Sequence, residues 1–283
     1  MVNVPGRKPE KTMTGRERVE TALRHREPDR VPYDLAGTTV TAITRNAYIR
    51  ALEYRGLPPA IGDAEVDPIQ QIVTPSEDVL VRLKSDTRRI GARRLMDRPG
   101  NAKPGGGVDE VLDFYGCGWR FDPGQDLYYN LVSSPLAGAE SLSAARHLFP
   151  RRDWMSYAAA VRRDLDEQIG AVGSFCLVAD RNTAGLTENS VRIRGYENWF
   201  MDTVLDPTGV EALLDLIVED KLRYWDVVCD WALQTGNASR ISVISEADDL
   251  GTQTSTIMDP AQIRRLIIPR FKTIFGHLKK RLP

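Results

Sequence analysis

The chain has 283 residues, 42% of them hydrophobic and 27% charged, with a formal net charge of −1, as in an ordinary globular protein of one or two domains. This charge gives no electrostatic basis for binding nucleic acid or an anionic membrane. Three widely spaced cysteines exclude a disulfide framework, and the polar N-terminus lacks the apolar run of a signal peptide, so we predict a cytoplasmic protein.

The first third of the chain begins with a polar arm at residues 1–13, and we predict a single domain over residues 14–283. Thr14 and Glu17 stand at capping-box spacing and begin the first helix. A short apolar run at residues 31–35 predicts a strand. Further elements are predicted as helices at residues 42–54 and 75–83 and a strand at residues 87–90.

The middle third contains an insertion and then returns to long elements. Two runs joined by Tyr-Gly-Cys predict an inserted hairpin near residues 108–122. Helices are predicted at residues 142–148 and 154–169. The unbroken apolar run at residues 175–179 is typical of a buried parallel strand.

In the last third, residues 182–185 predict a loop, and a helix begins at about Tyr196. Asp206 caps the long helix that follows, with Pro207 in its first turn. A strand is predicted at residues 241–244, and Asp259 caps the last helix.

The order of these elements predicts the fold class. Four strands alternate with long helices, which favours a parallel α/β arrangement. No glycine-rich G-x-G-x-x-G turn, P-loop, G-x-S-x-G elbow or H-E-x-x-H helix occurs, so the common nucleotide-binding and hydrolase folds are not indicated.

Polar side chains follow three of the predicted strands, where α/β enzymes keep their working residues. We predict Glu246, Asp248 and Asp249 as catalytic. As substrate-binding residues we predict Asp34, Asp180, Arg181, Asn182 and Gln253. Three carboxylates within four residues raise one another's pKa and suit a metal, a cationic substrate or proton transfer. A solvated acidic loop explains them equally well, and an Asp180–Arg181 ion pair that holds a loop is the alternative there.

Several ordered stretches together resemble the uroporphyrinogen decarboxylase family. They are TGRER (14–18) with LRHREPDRVP (23–32), RGYEN (194–198) with DP (206–207), and DDLGTQT (248–254) with PRFK (269–272). The similarity extends over nearly the whole chain. It implies a TIM (β/α)8 barrel with its active site at the C-terminal mouth, of which about the first four βα units are present.

The DDLGTQ loop is typical of the family's corrinoid-dependent, methyltransferase-like branch. The resemblance therefore implies methyl transfer between a small methylated substrate or thiol and a corrinoid (cobalamin) on a carrier protein. Porphyrinogen decarboxylation, which needs no cofactor, is the alternative. Asp86 lies roughly where the decarboxylase aspartate aligns, but Ala36-Gly37-Thr38-Thr39 replaces the arginine-rich decarboxylase loop.

Zinc is the second cofactor that the resemblance implies, because it activates the thiol or ether in this branch. Relatives place a histidine-x-cysteine zinc site on a fifth strand, which would lie beyond Pro283, so Glu246 supplies at most one ligand here. We therefore expect a C-terminally truncated form, or a half that pairs with another chain. A catalytically inactive half-barrel that forms a homo-oligomer or binds a partner is the third hypothesis.

Overall fold

The computed structural model describes residues 12–57, 65–93, 108–151, 153–170 and 173–282. The polar arm predicted at residues 1–13 lies almost wholly outside them. No helix within these ranges is both long and apolar enough to cross a membrane.

Three separate three-stranded sheets organise the described residues. The strands are β1 (Ile43–Thr44), β2 (Glu65–Asp67), β3 (Ile72–Val73), β4 (Thr87–Ile90), β5 (Asp109–Leu112), β6 (Gly118–Phe121), β7 (Asn130–Ser133), β8 (Cys176–Asp180) and β9 (Ile241–Ser245). β4, β8 and β9 form a parallel sheet with β8 in the centre. The other two sheets are antiparallel, in the orders β1-β3-β2 and β5-β6-β7.

The helices lie mostly between and after the parallel strands. They are α1 (Gly15–Leu23), α2 (Arg45–Tyr54), α3 (Glu77–Arg82), α4 (Trp154–Ile169), α5 (Leu186–Arg194), α6 (Tyr196–Leu205), α7 (Pro207–Gln234), α8 (Pro260–Gln262) and α9 (Ile268–Arg281). A π-helical turn (Ile263–Ile267) joins α8 to α9. It ends two residues before Pro269, whose missing amide interrupts the helical hydrogen bonds.

The parallel sheet is covered on both faces, as the apolar run of β8 predicts. Leu177 and Ala179 belong to the large core that includes residues of α4, α7 and α9. Cys176 and Val178 point the other way, to what we call the inner face, where Val19 of α1 packs on them. All five residues of β8 are buried, which explains why this strand was the clearest sequence signal.

The first predicted strand, residues 31–35, is wrong. The segment runs beside the start of β4, and the Asp86 amide donates to the Tyr33 carbonyl oxygen at 2.7 Å. Its own amides are satisfied by side chains instead: that of Tyr33 by Asp86 Oδ2 at 2.8 Å and that of Leu35 by Ser85 Oγ at 3.1 Å. Pro32 has no amide to donate, so a regular ladder does not form.

The helix α5 is absent from the sequence prediction, which places only a loop before Tyr196. Its sequence LTENSVRIR contains Thr, Asn and Ser, which favour caps and turns over helix interiors. Burial compensates, because most of its residues are enclosed by the rest of the molecule. The helix therefore depends on tertiary contacts more than on its own propensity.

The predicted α/β class is confirmed, and the parallel strands and long helices alternate as expected. A closed (β/α)8 TIM barrel is not shown. Within the described ranges no sheet closes on itself, and three parallel strands stand where four were predicted.

Candidate active site

The inner face of the parallel sheet ends in Asp180, a fully buried carboxylate at the end of β8. Its Oδ2 accepts hydrogen bonds from Arg89 Nε and from the Thr39 amide, both at 2.9 Å. Its carbonyl oxygen accepts from the Tyr224 hydroxyl at 2.6 Å. Its Oδ1 has no hydrogen-bond partner in the part of the chain that the structure describes. Asp180 is thus held rigidly while one buried acceptor atom stays open.

The alternative ion pair between Asp180 and Arg181 is wrong. Asp180 pairs with Arg89 across two strands. Within the described ranges Arg181 forms no ion pair with the Asp180 carboxylate. Arg181 and Asn182 instead face a separate cavity.

Asp34, also predicted as a substrate-binding residue, lines a cleft of about 380 Å³ between α1, β4, β8 and β9. Its Oδ1 accepts from the Gly37 amide at 2.8 Å and from the Thr87 hydroxyl. A Cβ on Gly37 would lie 2.3 Å from Asp34 Oδ1, so the tight turn that holds this carboxylate requires glycine. Val178 and Ser245 line the same cleft.

A cavity of about 30 Å³ lies beyond the C-terminal ends of β4 and β8. We call it the arginine cavity, because Arg89, Arg181 and Arg192 line it together with Asn182 and Glu188. Two of the predicted substrate-binding residues therefore come together here. Asp180 is not one of the lining residues and is linked to the cavity through the hydrogen bond that it accepts from Arg89.

The three predicted catalytic carboxylates do not converge. The side chain of Glu246 is fully buried, and its Oε2 accepts from Lys221 Nζ and its Oε1 from Trp225 Nε1, each at 2.7 Å. Only the main chain of Glu246 remains to line the cleft beside Asp34. Its carboxylate is occupied in fastening β9 to α7.

Asp248 caps the N-terminus of α5. Its Oδ2 accepts from the Thr187 amide at 2.9 Å and its Oδ1 from the Glu188 amide at 3.2 Å. Burial raises the pKa of Asp248 to about 6, although these amide hydrogen bonds act to lower it. Asp249 and Gln253 are exposed on the loop after β9 and, among the described residues, neither lines a cavity with the others.

The described residues do not fit the implied zinc. Among them, no group of three or more His, Cys, Asp or Glu side chains could hold a metal ion. Glu246, the one predicted ligand, gives both oxygens to Lys221 and Trp225. Its role as a metal ligand stays a prediction from the resemblance, and we derive no chemical step through zinc.

Arg89 and Arg192 are the site residues that the sequence analysis missed. Arg89 follows Arg88 inside β4, and both are buried and paired with carboxylates, which an arginine within a short buried strand indicates. Arg192 lies in α5, a helix that the sequence does not predict, so only the structure places it beside Arg181 at the cavity.

Asp86, which aligns roughly with the decarboxylase aspartate, lies at the N-terminal end of β4, opposite the arginine cavity. Its buried carboxylate binds Arg18, Arg30 and the Tyr33 amide. Arg18 also binds Asp29, and Arg18 holds the pKa of Asp29 well below its usual range. This network ties the first turns of the chain to the sheet and gives no support to a catalytic role for Asp86.

No protein-family model matches the chain, and no curated protein matches it. Among solved structures, the chain is similar to a methyltransferase from Methanosarcina mazei, with a TM-score of 0.53 and 14% sequence identity. The superposition covers 94% of this chain and 67% of that chain. At this identity the likeness shows a shared α/β fold.

Proposed function

We propose that the chain is a methyltransferase that moves a methyl group between a small substrate or thiol and a corrinoid bound to a carrier protein. The observation that carries the proposal is the fold likeness to a methyltransferase over 94% of the chain. The ordered motifs of the uroporphyrinogen decarboxylase-like resemblance, on its methyltransferase-like branch, support the corrinoid as the methyl carrier.

The residues at the C-terminal end of the parallel sheet supply the chemistry in this proposal. Asp180 Oδ1 is a buried acceptor without a partner among the described residues, and it takes the proton that the thiol loses. Arg89 and the Thr39 amide fix the Asp180 carboxylate in place. Asp34, held by Gly37 and Thr87, lines the cleft to which we assign the body of the substrate.

The test is a visible-absorbance assay with methylcobalamin, a panel of small thiols and the purified chain, with and without added zinc. We expect loss of the methylcobalamin spectrum together with an S-methylated product detected by mass spectrometry. Asp180→Asn should lower kcat/KM by roughly 100-fold or more, whereas Glu197→Gln, on the exposed surface of α6, should leave it unchanged.

The rival reaction runs in parallel. Uroporphyrinogen is incubated with the same preparation, and loss of carboxylate groups is followed by mass spectrometry. Decarboxylation without methyl transfer would overturn the proposal, as would the absence of methyl transfer with every thiol.

A second candidate function follows from the sheet edge. β9 has no partner on its outer side among the described strands, and a cavity of about 420 Å³ lies against it, lined by Ile241, Val243, Phe275 and Leu282. An open strand edge can pair with a strand of another chain. This favours the hypothesis that the protein forms a homo-oligomer or binds a partner protein. A monomer in sedimentation at every concentration tested would count against self-association.

A further inference from the structure

One buried tyrosine connects two of the strands that carry the candidate site. Tyr224 lies on α7, and its side chain is fully buried in the large hydrophobic core. Its hydroxyl donates to the Asp180 carbonyl oxygen at 2.6 Å and accepts from the Ala92 amide at 3.3 Å. Asp180 ends β8 and Ala92 lies just beyond the end of β4. This hydroxyl therefore links the C-terminal ends of two neighbouring parallel strands.

Packing alone does not require a hydroxyl at position 224. A phenylalanine ring would fill the same space in the core, whereas a buried hydroxyl is unfavourable unless it is hydrogen-bonded. Burial raises the pKa of Tyr224 well above its usual value of 10, so the hydroxyl keeps its proton and remains a donor to Asp180 at neutral pH. The hydroxyl thus makes a contribution to the strand ends that is separate from the contribution of the ring to the core.

The turn that follows β4 is fixed by two helices. Gly91 has a φ of +151°, and a Cβ there would lie 2.8 Å from the Asp180 carbonyl oxygen, so this close approach requires glycine. From α4, Gln168 Nε2 donates to the Gly91 carbonyl oxygen at 2.9 Å, and its Oε1 accepts from the Gly91 amide at 3.0 Å. From α7, Tyr224 binds the amide of Ala92. The Gly91–Ala92 turn is therefore held by side chains of both helices.

The same turn orients Arg89. Its Nη2 donates to the Ala92 carbonyl oxygen at 2.8 Å, and its Nε donates to Asp180 Oδ2 at 2.9 Å. The side chains of Arg89 and Asp180 are 3% and 0% exposed, so water does not compete for this ion pair. Tyr224 consequently acts on Asp180 in two ways: directly at the carbonyl oxygen, and through Ala92 and Arg89 at the carboxylate.

We infer that Tyr224 and Gln168 are positioning residues for Asp180. By fixing the Gly91–Ala92 turn, they keep Arg89 on Oδ2 and leave Oδ1, which has no partner among the described residues, open to accept a proton. The inference rests on the proposed function in one respect, because Asp180 is the proton acceptor of that proposal. A displacement of a reacting group by about 1 Å can lower a rate about 100-fold, so the effect should fall on the rate.

The first test follows the Arg89–Asp180 ion pair itself and needs no substrate. The Nε–H of Arg89 is observed by nitrogen-15 NMR, assigned by its loss in Arg89→Lys, and its hydrogen exchange is timed. In Tyr224→Phe we expect exchange about 10-fold faster than in the unaltered chain, as the loss of one buried hydrogen bond implies. Tyr48→Phe is the matched control, because it removes a hydroxyl that accepts the Ser76 amide at 3.3 Å in a separate hydrophobic cluster. Its Arg89 exchange should equal that of the unaltered chain.

A second NMR signal separates positioning from general loosening of α7. Trp225 follows Tyr224 in the chain, and its Nε1–H donates to Glu246 at 2.7 Å. Its exchange should be unchanged in Tyr224→Phe, and equal acceleration of both signals would overturn the inference. Gln168→Met releases the turn from α4 alone and should also quicken Arg89 exchange, so it provides the test if Tyr224→Phe does not fold. Unchanged Arg89 exchange in the folded variants would likewise overturn the inference.

The methyl-transfer assay provides the other test. Tyr224→Phe should lower kcat about 10- to 100-fold and leave KM within about twofold, because it disturbs the proton acceptor and not the cleft assigned to the substrate. A higher KM with kcat unchanged would contradict the inference. If the unaltered chain transfers no methyl group, the proposed function fails, while Arg89 exchange still shows whether Tyr224 and Gln168 position Asp180.

Discussion

At the scale of single residues, Asp248 is the carboxylate on which opposing forces act most directly. Burial disfavours its charged form, whereas the amides of Thr187 and Glu188 at the N-terminus of α5 favour it. Burial is the larger effect and raises the pKa of Asp248 to about 6 from 3.8. A carboxylate predicted as catalytic from its position after β9 therefore acts on a helix 60 residues earlier in the chain.

The raised pKa of Asp248 predicts a pH dependence of stability. The folded state binds this proton more tightly than the unfolded state, so the contribution to stability is complete below about pH 4 and is lost as pH rises through about 6. Two pKa units correspond to about 3 kcal/mol. Asp248→Asn should remove this part of the slope, as measured by urea unfolding between pH 4 and pH 7.

The neighbouring Asp249 provides the matched control for that measurement. It is exposed, so Asp249→Asn should retain the pH slope of the unaltered chain. An identical slope in Asp248→Asn and the unaltered chain would contradict the assignment.

Asp86 gives a second prediction at this scale. Its carboxylate is only 3% exposed and binds Arg18 and Arg30, so Asp86→Asn removes one of the two carboxylates that neutralise the buried Arg18 and the carboxylate that binds Arg30. We expect a loss of about 3–5 kcal/mol in the free energy of unfolding, measured with urea. Glu219→Gln breaks an exposed pair with Arg223 and should cost less than about 1 kcal/mol. If Asp86→Asn is as stable as the unaltered chain but no longer decarboxylates uroporphyrinogen, the decarboxylase alternative is favoured instead.

At the scale of elements, the motifs that carry the family resemblance join one element to another. In the first, Arg18 and Arg30 bind Asp86 at the start of β4. In the second, Arg194 binds Asp202 and the carbonyl oxygens at Leu136 and Ala139. In both motifs the side chains stabilise contacts between elements, and a sequence motif alone does not distinguish that role from substrate binding.

The elements that the sequence predicts well are those whose signals are local. Thr14 and Glu17 form the capping box of α1, and the Asp206 side chain accepts the Gly209 amide at the start of α7. The strand predicted at residues 31–35 fails because the side chains of Ser85 and Asp86, just before β4 and distant in sequence, accept the hydrogen bonds of its amides. α5 was missed for the same reason, since its cap comes from Asp248.

The candidate site also divides into residues with a local sequence signal and residues placed only by tertiary contacts. Position after a strand identifies Asp180, Arg181 and Asn182, because strand ends converge in α/β folds. Their partners Arg89 and Arg192 come from another strand and from the missed helix, so only the tertiary structure brings them together.

The link between β9 and α7 yields a prediction at the scale of elements. Lys221 and Glu246 form a fully buried ion pair, and removing either partner leaves the other charge unpaired. We expect Glu246→Gln and Lys221→Met each to lower the free energy of unfolding by about 3–5 kcal/mol, as measured by urea unfolding. The double variant Lys221→Met/Glu246→Leu should lose less than the sum, because the two side chains interact.

Zinc titration of the same variants decides between the two roles of Glu246. A weaker zinc affinity without loss of stability would support the ligand role implied by the family resemblance. Loss of stability with zinc affinity unchanged would support the fastening of β9 to α7.

At the scale of the whole molecule, one hydrophobic core joins the parallel sheet to the β5-β6-β7 sheet. Val111 and Trp119 of that sheet belong to the same cluster of buried side chains as Leu177 of β8 and Trp225 of α7. A shared core couples the unfolding of the elements that contribute to it. The single domain over residues 14–283 stays a prediction, which this shared core supports for the elements that contribute to it.

The three cysteines test whether the molecule unfolds as one unit. Cys117, Cys176 and Cys229 are fully buried, in the turn before β6, the parallel sheet and α7 respectively. Burial raises the pKa of Cys176 and of Cys229 to about 11, so the native thiols should resist iodoacetamide at pH 8. In a urea titration with pulse labelling and peptide mass spectrometry, we expect all three to become reactive at one midpoint.

Glu197→Cys, on the exposed surface of α6, should react without urea and shows that the reagent is active. Labelling of Cys117 at lower urea than Cys176 and Cys229 would show that the β5-β6-β7 sheet unfolds on its own, and the single-domain prediction would then be wrong.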